Sequence, residues 1–341
     1  MKPLVSILIP AFNAEAWIAD AIKSAIAQSW SRKEIIIVDD GSSDCTLTIA
    51  RRFESDSIHV VTQTNRGAAA ARNTALSRSR GNYIQWLDAD DLMAPDKIAR
   101  QLEYAMSLGV DARAVLSCAW GHFLYRPQAA NFVPTPLWCD LTPLEWFLRR
   151  MEYSVFMANA NWLVSRELTQ AVGPWDTRLT LDDDGEYFGR ILMASSGTRF
   201  VPEAKVFYRR TGPTSLSYLG CSGEKLSSRF LAIELQTRYA RSLEDSLRVR
   251  TACVKFLQDS LVTSNLGKPH LDERAVQLAA TLGGRLIQPK VSWKYAWIQQ
   301  LFGRPAARQA QLLMQTYKWT LKRSWDNALS CCDTKWRDVW Q

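Results

Sequence analysis

Residues 84–91 read Ile-Gln-Trp-Leu-Asp-Ala-Asp-Asp, an apolar run closed by three carboxylates, Asp88, Asp90 and Asp91. Carboxylates this crowded repel one another unless a cation sits among them, and hard divalent ions such as Mg2+ or Mn2+ take oxygen ligands and bridge to substrate phosphates. The pattern implies a metal and diphosphate site. A solvated acidic turn capping the next helix is the competing reading, since Asp91 precedes Pro95 and a helical stretch. Position favours the site: the carboxyl end of a buried parallel strand faces the ligand crevice of an open α/β sheet.

Asp39-Asp40-Gly41-Ser42 closes an earlier strand and opens a helix, the same crevice position. An aspartate there can accept hydrogen bonds from a base or ribose, whereas it would repel a phosphate. The residue types also suit an N-cap and tight turn, but capping does not need two aspartates. No G-x-G-x-x-G follows the first strand, which argues against a nicotinamide or flavin enzyme.

The elements that must hold these carboxylates alternate strand and helix. Leu4 to Ile9 is a strand of the fully buried type, Ala14 to Gln28 has helical apolar spacing, and Glu34 to Val38 is again a strand. A helix to about Phe53, a strand at His59 to Thr62, a helix from Arg66 to Ser79 and a strand at Tyr83 to Leu87 follow. Repeated strand-then-helix units predict a doubly wound, mostly parallel sheet. Residues 110–165 are less regular, with a strand at Ala114 to Ala119, a proline-containing loop (Pro127, Pro134, Pro136) expected on an acceptor-facing surface, and a helix at Leu141 to Arg150. Pro202 to Arg209 is a late strand, and the Gly/Ser-rich passage from Gly212 to Gly223 marks the expected boundary between a domain of residues 1–220 and a mainly helical region of residues 221–341.

At 341 residues with 47% hydrophobic and 22% charged residues, the chain is of globular composition and long enough for about two domains. Seven cysteines without paired spacing fit a reducing compartment, and scattered His59, His122 and His270 give no zinc site. No run reaches the roughly eighteen apolar residues of a membrane span, and no signal peptide is recognisable. A cytoplasmic location, with access to the inner face of the membrane, is expected. The net charge of +8 is uneven: residues 221–341 hold 19 Lys and Arg against 10 Asp and Glu, while residues 1–220 are nearly neutral.

The order of these motifs resembles the family-2 glycosyltransferases, inverting enzymes of the GT-A fold that take sugars from nucleotide-diphosphate donors. The matching pieces are Val5 to Asn13, Glu34 to Ser43, Asn65-Arg66-Gly67, Ala71-Arg72-Asn73, Gly81 to Asp91, and Gly173-Pro174-Trp175-Asp176 followed by Asp182-Asp183-Asp184, spanning about residues 3–218. Each motif alone is weak; together, in the family's order and spacing, they are specific. The resemblance implies that Pro10, Ala11 and Asn13 line the nucleotide pocket, that Asp40 with Asp39 beside it contacts the base, preferably uracil, and that Arg72 approaches the nucleotide or its phosphates. Asp88-Ala89-Asp90 matches the D-x-D element, with Asp90 as the direct metal ligand and Asp88 nearer the ribose. The family's arginine, six residues after its catalytic aspartate, aligns with Arg190; this puts the general base at Asp184, with Asp183 in the usual Glu position and Glu186 at a further acidic position. The expected reaction is metal-dependent inverting transfer, with Mn2+ or Mg2+, of a sugar from a UDP-sugar to a hydroxyl of a glycan, lipid-linked or protein acceptor.

Two departures stand out. The family's Tyr-Arg-x-His is here Tyr208-Arg209-Arg210-Thr211, and Gly185 and Gly189 replace bulky apolar residues. A catalytically inert sugar-nucleotide-binding or assembly protein is the alternative of a different class; retention of all three acidic clusters favours the enzyme. Six of fourteen tryptophans (Trp293, Trp297, Trp319, Trp325, Trp336, Trp340) lie among the basic residues of 221–341, a composition that suits an anionic lipid interface or a helical domain packed on the catalytic one. No nucleic-acid-binding module is present, so no nucleic-acid partner is expected.

Overall fold

The computed structural model describes residues 2–211, 223–264, 269–287 and 292–332. Trp336, Trp340 and nearly all of the Gly212 to Gly223 boundary therefore lie outside the described residues. The first part runs β1 (Val5–Ala11), α1 (Ile18–Ile26), β2 (Lys33–Asp39), α2 (Thr46–Arg51), β3 (Ile58–Thr62), α3 (Ala68–Arg78), β4 (Tyr83–Trp86), β5 (Leu92–Met93), α4 (Lys97–Ser107) and β6 (Val115–Phe123). It continues with α5 (Pro143–Tyr153), β7 (Leu163–Ser165), α6 (Arg166–Val172), α7 (Asp183–Ala194) and β8 (Thr198–Arg209), then α8 (Gly223–Leu243), α9 (Leu247–Ser264), α10 (Pro269–Thr281) and α11 (Ala296–Cys332).

The eight strands form one sheet in the order β3-β2-β1-β4-β7-β6-β8-β5. β1 pairs in parallel with β2 and β4, β2 with β3, and β6 with β8, while β7 and β5 run antiparallel to their neighbours. Val5, Ile7, Leu8 and Ile9 of β1 and Ile35 to Val38 of β2 are buried, as expected for strands covered on both faces. The parallel, doubly wound half is as the sequence predicts. The three-residue β7 is too short to show a period, and only its pairing between β4 and β6 reveals it.

Two boundaries differ from the sequence reading for identifiable reasons. α1 begins at Ile18 because Ala14 forms a preceding turn, its carbonyl accepting from Trp17 and Ile18 and its N–H donating to Thr46 Oγ1. β8 begins at Thr198, ahead of Pro202, which falls where the β6–β8 register slips between Cys118 and Ala119. A bulge tolerates a proline because no ladder hydrogen bond is required there.

The core is continuous across the chain. Leu226, Phe230 and Ile233 of α8 and Val249, Cys253 and Leu257 of α9 belong to the same buried cluster as Ile7 of β1 and Trp86 of β4. α8 lies against α7 and α5, α9 against α5 and α8. α11, kinked at Gly303, is tied back to the loop after β6: Arg126 pairs with Asp326 at 2.8 Å and Arg323 Nε donates to Tyr125 Oη at 2.9 Å.

Candidate active site

The ends of the neighbouring parallel strands β1, β2 and β4 carry Pro10 to Asn13, Asp39-Asp40 and Asp88 to Asp91, while α3 and α7 bring Arg72, Asp183 and Asp184. After β2, Asp39 Oδ2 accepts from Ser42 N (3.2 Å) and Thr62 Oγ1 (3.4 Å), leaving Oδ1 buried and without a partner among the described residues. Asp40 is committed internally: Gln63 Nε2, Arg66 N and Gly67 N donate to its carboxylate at 2.6, 3.0 and 2.8 Å. Asp39, and not Asp40, keeps a free acceptor. Gly41 makes this turn possible, with φ +73° and no room for a Cβ, which would meet Asn65 N at 2.8 Å. Asn13, at φ +46°, accepts from Ser43 N at 2.9 Å and donates its own backbone N–H to Ser42 Oγ at 3.0 Å, so it braces the Asp39–Ser43 turn. Ala11 is buried, its carbonyl accepting from Asp40 N, and Pro10 is half-buried beside it.

β4 ends in the triple carboxylate. Asp88 Oδ1 receives Arg72 Nη2 at 3.0 Å and Asp88 Oδ2 receives Asn159 Nδ2 at 2.8 Å. Asp90 Oδ2 receives the hydroxyl of Thr211 at 3.3 Å, so Thr211 stands where the family pattern has histidine. Ala89 between them is buried. Asp91 is fully enclosed, one oxygen on Arg209 N (2.9 Å) and the other without a partner. Burial first, then the charge of Asp88, pushes the Asp90 carboxyl up to about 6, and burial with Asp90 and Asp88 drives Asp91 well above the carboxylate range.

Arg72, on α3, reaches across the crevice. Its Nη1 lies 2.5 Å from Asp183 Oδ2 and its face stacks 4.5 Å from the Trp175 ring centroid. Burial alone would lower this guanidinium, but Asp183 and Asp88 outweigh it and hold it above its ordinary value. Trp175 is fixed in turn by Asn73, which both donates to its carbonyl (2.9 Å) and accepts its N–H (2.8 Å).

Asp183 and Asp184 open α7. Asp183 is paired with Arg72, although its burial keeps its carboxyl above the usual range. Among the described residues, Asp184 Oδ1 accepts from Gly185 N at 2.8 Å and no ion pair forms on Asp184. Burial, then Asp182 and Asp183, raises its carboxyl to about 7, the protonation balance a general base requires near neutral pH. Glu186 is taken up by Arg190 (2.7 Å) and the Tyr239 hydroxyl (2.7 Å), which leaves Asp184 as the uncommitted carboxylate of the turn.

Several site residues carry no motif. Arg150, Asn159 and Gln236 come from α5, a short 3-10 turn and α8, and their roles exist only through tertiary contact. The glycines of α7 also acquire a reason: a Cβ at Gly185 would lie 2.5 Å from Asp182 Oδ1 and 2.6 Å from Arg150 Nη2, and one at Gly189 would lie 3.2 Å from Tyr239.

Asp88 and Asp90 are the carboxylates that could hold a divalent ion, although Asp88 is here bound by Arg72 and Asn159. The orphaned Asp91 oxygen and the raised Asp90 carboxyl mark uncompensated negative charge, while no group of three or more His, Cys, Asp or Glu converges among the described residues. Two carboxylates without a protein cage suit an ion that keeps waters and takes diphosphate oxygens, as Mg2+ does.

Residues 6–138 match the model of glycosyl transferase family 2. TuaG of Bacillus subtilis (strain 168), a glycosyltransferase named for teichuronic acid biosynthesis, is 40% identical over 154 residues, covering 44% of this chain and 54% of TuaG. The chain spans about half the length of the curated relatives it matches. Among solved structures, residues 1–349 of S. aureus TarS in complex with UDP superpose with a TM-score of 0.62 at 16% identity, over 82% of this chain and 80% of that one. The mannosyltransferase PcManGT of Pyrobaculum calidifontis, in complex with GDP-Man and Mn2+, gives 0.50 at 17% identity over 96% and 88%. The mostly parallel sheet is of the GT-A type, acidic residues follow β2 and β4 and open α7, and residues 6–138 are similar to glycosyl transferase family 2.

Proposed function

We propose that the protein is an inverting, metal-assisted glycosyltransferase that uses a nucleotide-diphosphate sugar, preferably a UDP-sugar. The observation that carries this reading is the position of Arg72: one buried guanidinium bridges Asp88 on the D-x-D side and Asp183 next to the free Asp184. Donor-binding and proton-accepting carboxylates are thereby held on opposite arms of one cation. The free oxygen of Asp39 can take a base or ribose donor, in keeping with the UDP bound by TarS.

Asp184 removes the acceptor hydroxyl proton as the oxygen attacks C1 from the face opposite the departing diphosphate. Asp88 and Asp90 would hold the divalent ion, which when bound supplies charge stabilisation to the diphosphate. Arg72 favours the charged form of Asp183 against the effect of its burial and orients Asp88, and Asn159 fixes the other Asp88 oxygen.

The acceptor we favour is a glycan. Trp120, His122, Tyr208 and Phe156 form an aromatic cluster with ring centroids 4.6–5.9 Å apart, and Phe156 is 38% exposed. Phe156 follows Val155, whose carbonyl accepts from Arg150, and lies three residues before Asn159, which donates to Asp88. Aromatic faces suit the apolar face of a sugar ring.

A peripheral membrane contact is a second reading, favoured by α11. Leu313, Met314, Tyr317, Leu321 and Trp325 are exposed within one helical stripe flanked by Lys318 and Lys322, away from the Arg323 and Asp326 anchors. No helix among the described residues is long and apolar enough to cross a membrane. Flotation with anionic and neutral liposomes tests this, and equal flotation with both would reject it.

The transferase reading is tested by screening nucleotide sugars for hydrolysis and transfer, with and without Mn2+. UDP-dependent turnover that requires the ion and is lost in Asp184→Asn is expected. Binding of nucleotide without any turnover, at any acceptor tried, would favour the inert binding protein.

A further inference from the structure

Helix α8 lies far outside the matched family segment, yet one of its faces is bonded to the turn that presents Asp184. Ser228 Oγ accepts from Thr180 N at 2.7 Å and Leu181 N at 3.0 Å and donates to Leu181 O at 3.2 Å. Two turns on, Gln236 Nε2 donates to Asp182 Oδ2 at 2.8 Å; three residues later the Tyr239 hydroxyl meets Glu186. Offsets of eight and three residues place all three on one side of a helix.

Asp182 needs such support. It is a non-glycine residue at φ +58°, a left-handed conformation that persists only where surroundings over-determine it. Arg150 completes the grip, giving Nη2 to Asp182 Oδ1 at 3.1 Å, Nε to Gln236 Oε1 at 2.9 Å and Nη1 to Val155 O at 3.3 Å. Gln236 is fully buried and Arg150 nearly so, and Gly185 leaves the space in which they meet Asp182. Two oxygens of one carboxylate are held directly by two buried donors.

We infer that Gln236, together with Ser228 and Arg150, is a positioning residue for the base: α8 fixes the left-handed turn at Asp182 and so sets where Asp184 points and which charges surround it. The role rests on the transferase reading for its consequence in turnover, but not for its geometry. The charged groups around Asp184 are Asp182 and Asp183 on its own turn, Arg150 from α5 and Arg72 from α3. Arg229 of α8 faces Asp182 as well. Gln236 is the neutral member of this set, so an acidic substitution there adds a charge without removing a cation.

The test uses the full chain and the variants Gln236→Leu, Gln236→Glu and Ser228→Ala. With carboxyl-13C-labelled aspartate, the Asp184 resonance is assigned by its loss in Asp184→Asn and its titration is followed in each variant. Gln236→Glu should move that titration to higher pH by about one unit, and Gln236→Leu should alter its midpoint while UDP affinity by calorimetry stays within about twofold. Where turnover is measurable, kcat should fall about tenfold or more in both Gln236 variants with donor KM little changed, the mark of a misplaced catalytic group. An Asp184 titration identical in all forms would overturn the inference. So would kcat falling only in proportion to lost folded protein. A wild-type protein without turnover would count against the transferase reading alone, since the carboxyl titration still decides the role of Gln236.

Discussion

Arg72 Nη2 lies 3.0 Å from Asp88 Oδ1, and the opposite nitrogen of the same guanidinium lies 2.5 Å from Asp183 Oδ2. A planar fork can satisfy two carboxylates at once; an ammonium cannot do so in the same geometry. Arg72→Lys should therefore lose most activity while folding, and Arg72→Met should cost about 3 kcal/mol because two largely buried carboxylates lose their cation. Thermal unfolding together with UDP calorimetry checks both. Near-parental activity in Arg72→Lys would contradict a bridging role.

Asp184 has to be ionised to accept a proton, and its carboxyl titrates at about 7. The sign follows directly: the active form is depleted below this value, so kcat/KM should rise with pH through about 7 and level off above it. Asp184→Asn should lower kcat by roughly 100-fold or more while leaving UDP affinity nearly unchanged. A pH profile flat from 5.5 to 8 would move the base elsewhere.

Metal removal should separate donor binding from folding. Chelation, or Asp90→Asn in the presence of Mn2+, should weaken UDP binding by about tenfold or more, because the ion that offsets the diphosphate charge is lost or loosened. The melting temperature without nucleotide should hardly change. Calorimetry across a Mn2+ series measures this, and ion-independent affinity in the parent protein would reject the assignment of Asp88 and Asp90.

Gly185→Ala inserts a methyl group 2.5 Å from Asp182 Oδ1, 2.6 Å from Arg150 Nη2 and 2.9 Å from Gln236 Nε2. Helix propensity alone would favour alanine by about 0.5–1 kcal/mol. Overpacking should win, with a net loss of about 1–3 kcal/mol by denaturant unfolding. A stabilised variant would mean that the turn and α8 can separate freely.

Phe156→Ala should raise the acceptor KM about fivefold, in line with about 1 kcal/mol for an aromatic contact, and leave donor hydrolysis unchanged. Steady-state kinetics with a glycan acceptor found in the screen provides the comparison. Equal loss of hydrolysis and transfer would place Phe156 in the fold rather than at the acceptor.

The sequence by itself determined the parallel half of the sheet and the places where carboxylates leave it. Val5 to Ile9 and Ile35 to Val38 are continuous apolar runs, and a run that ends in Asp-Asp or Asp-Ala-Asp-Asp can only deliver charge at a strand end. Such features are local, so reading along the chain finds them. What only the tertiary structure decided is the division of labour among the aspartates. Asp39 and Asp40 look alike in sequence, yet Asp40 is taken by Gln63, Arg66 N and Gly67 N while Asp39 keeps a free oxygen. Asp183 and Asp184 are neighbours, but Asp183 forms a direct ion pair with Arg72, while Asp184 has none among the described residues. The two glycines of α7 read as departures from the family until α8 is seen to occupy their missing side chains, with Gln236 and Tyr239 reaching Asp182 and Glu186 from more than fifty residues away. Which partner a carboxylate finds depends on long-range packing, and no local spacing of residue types records that.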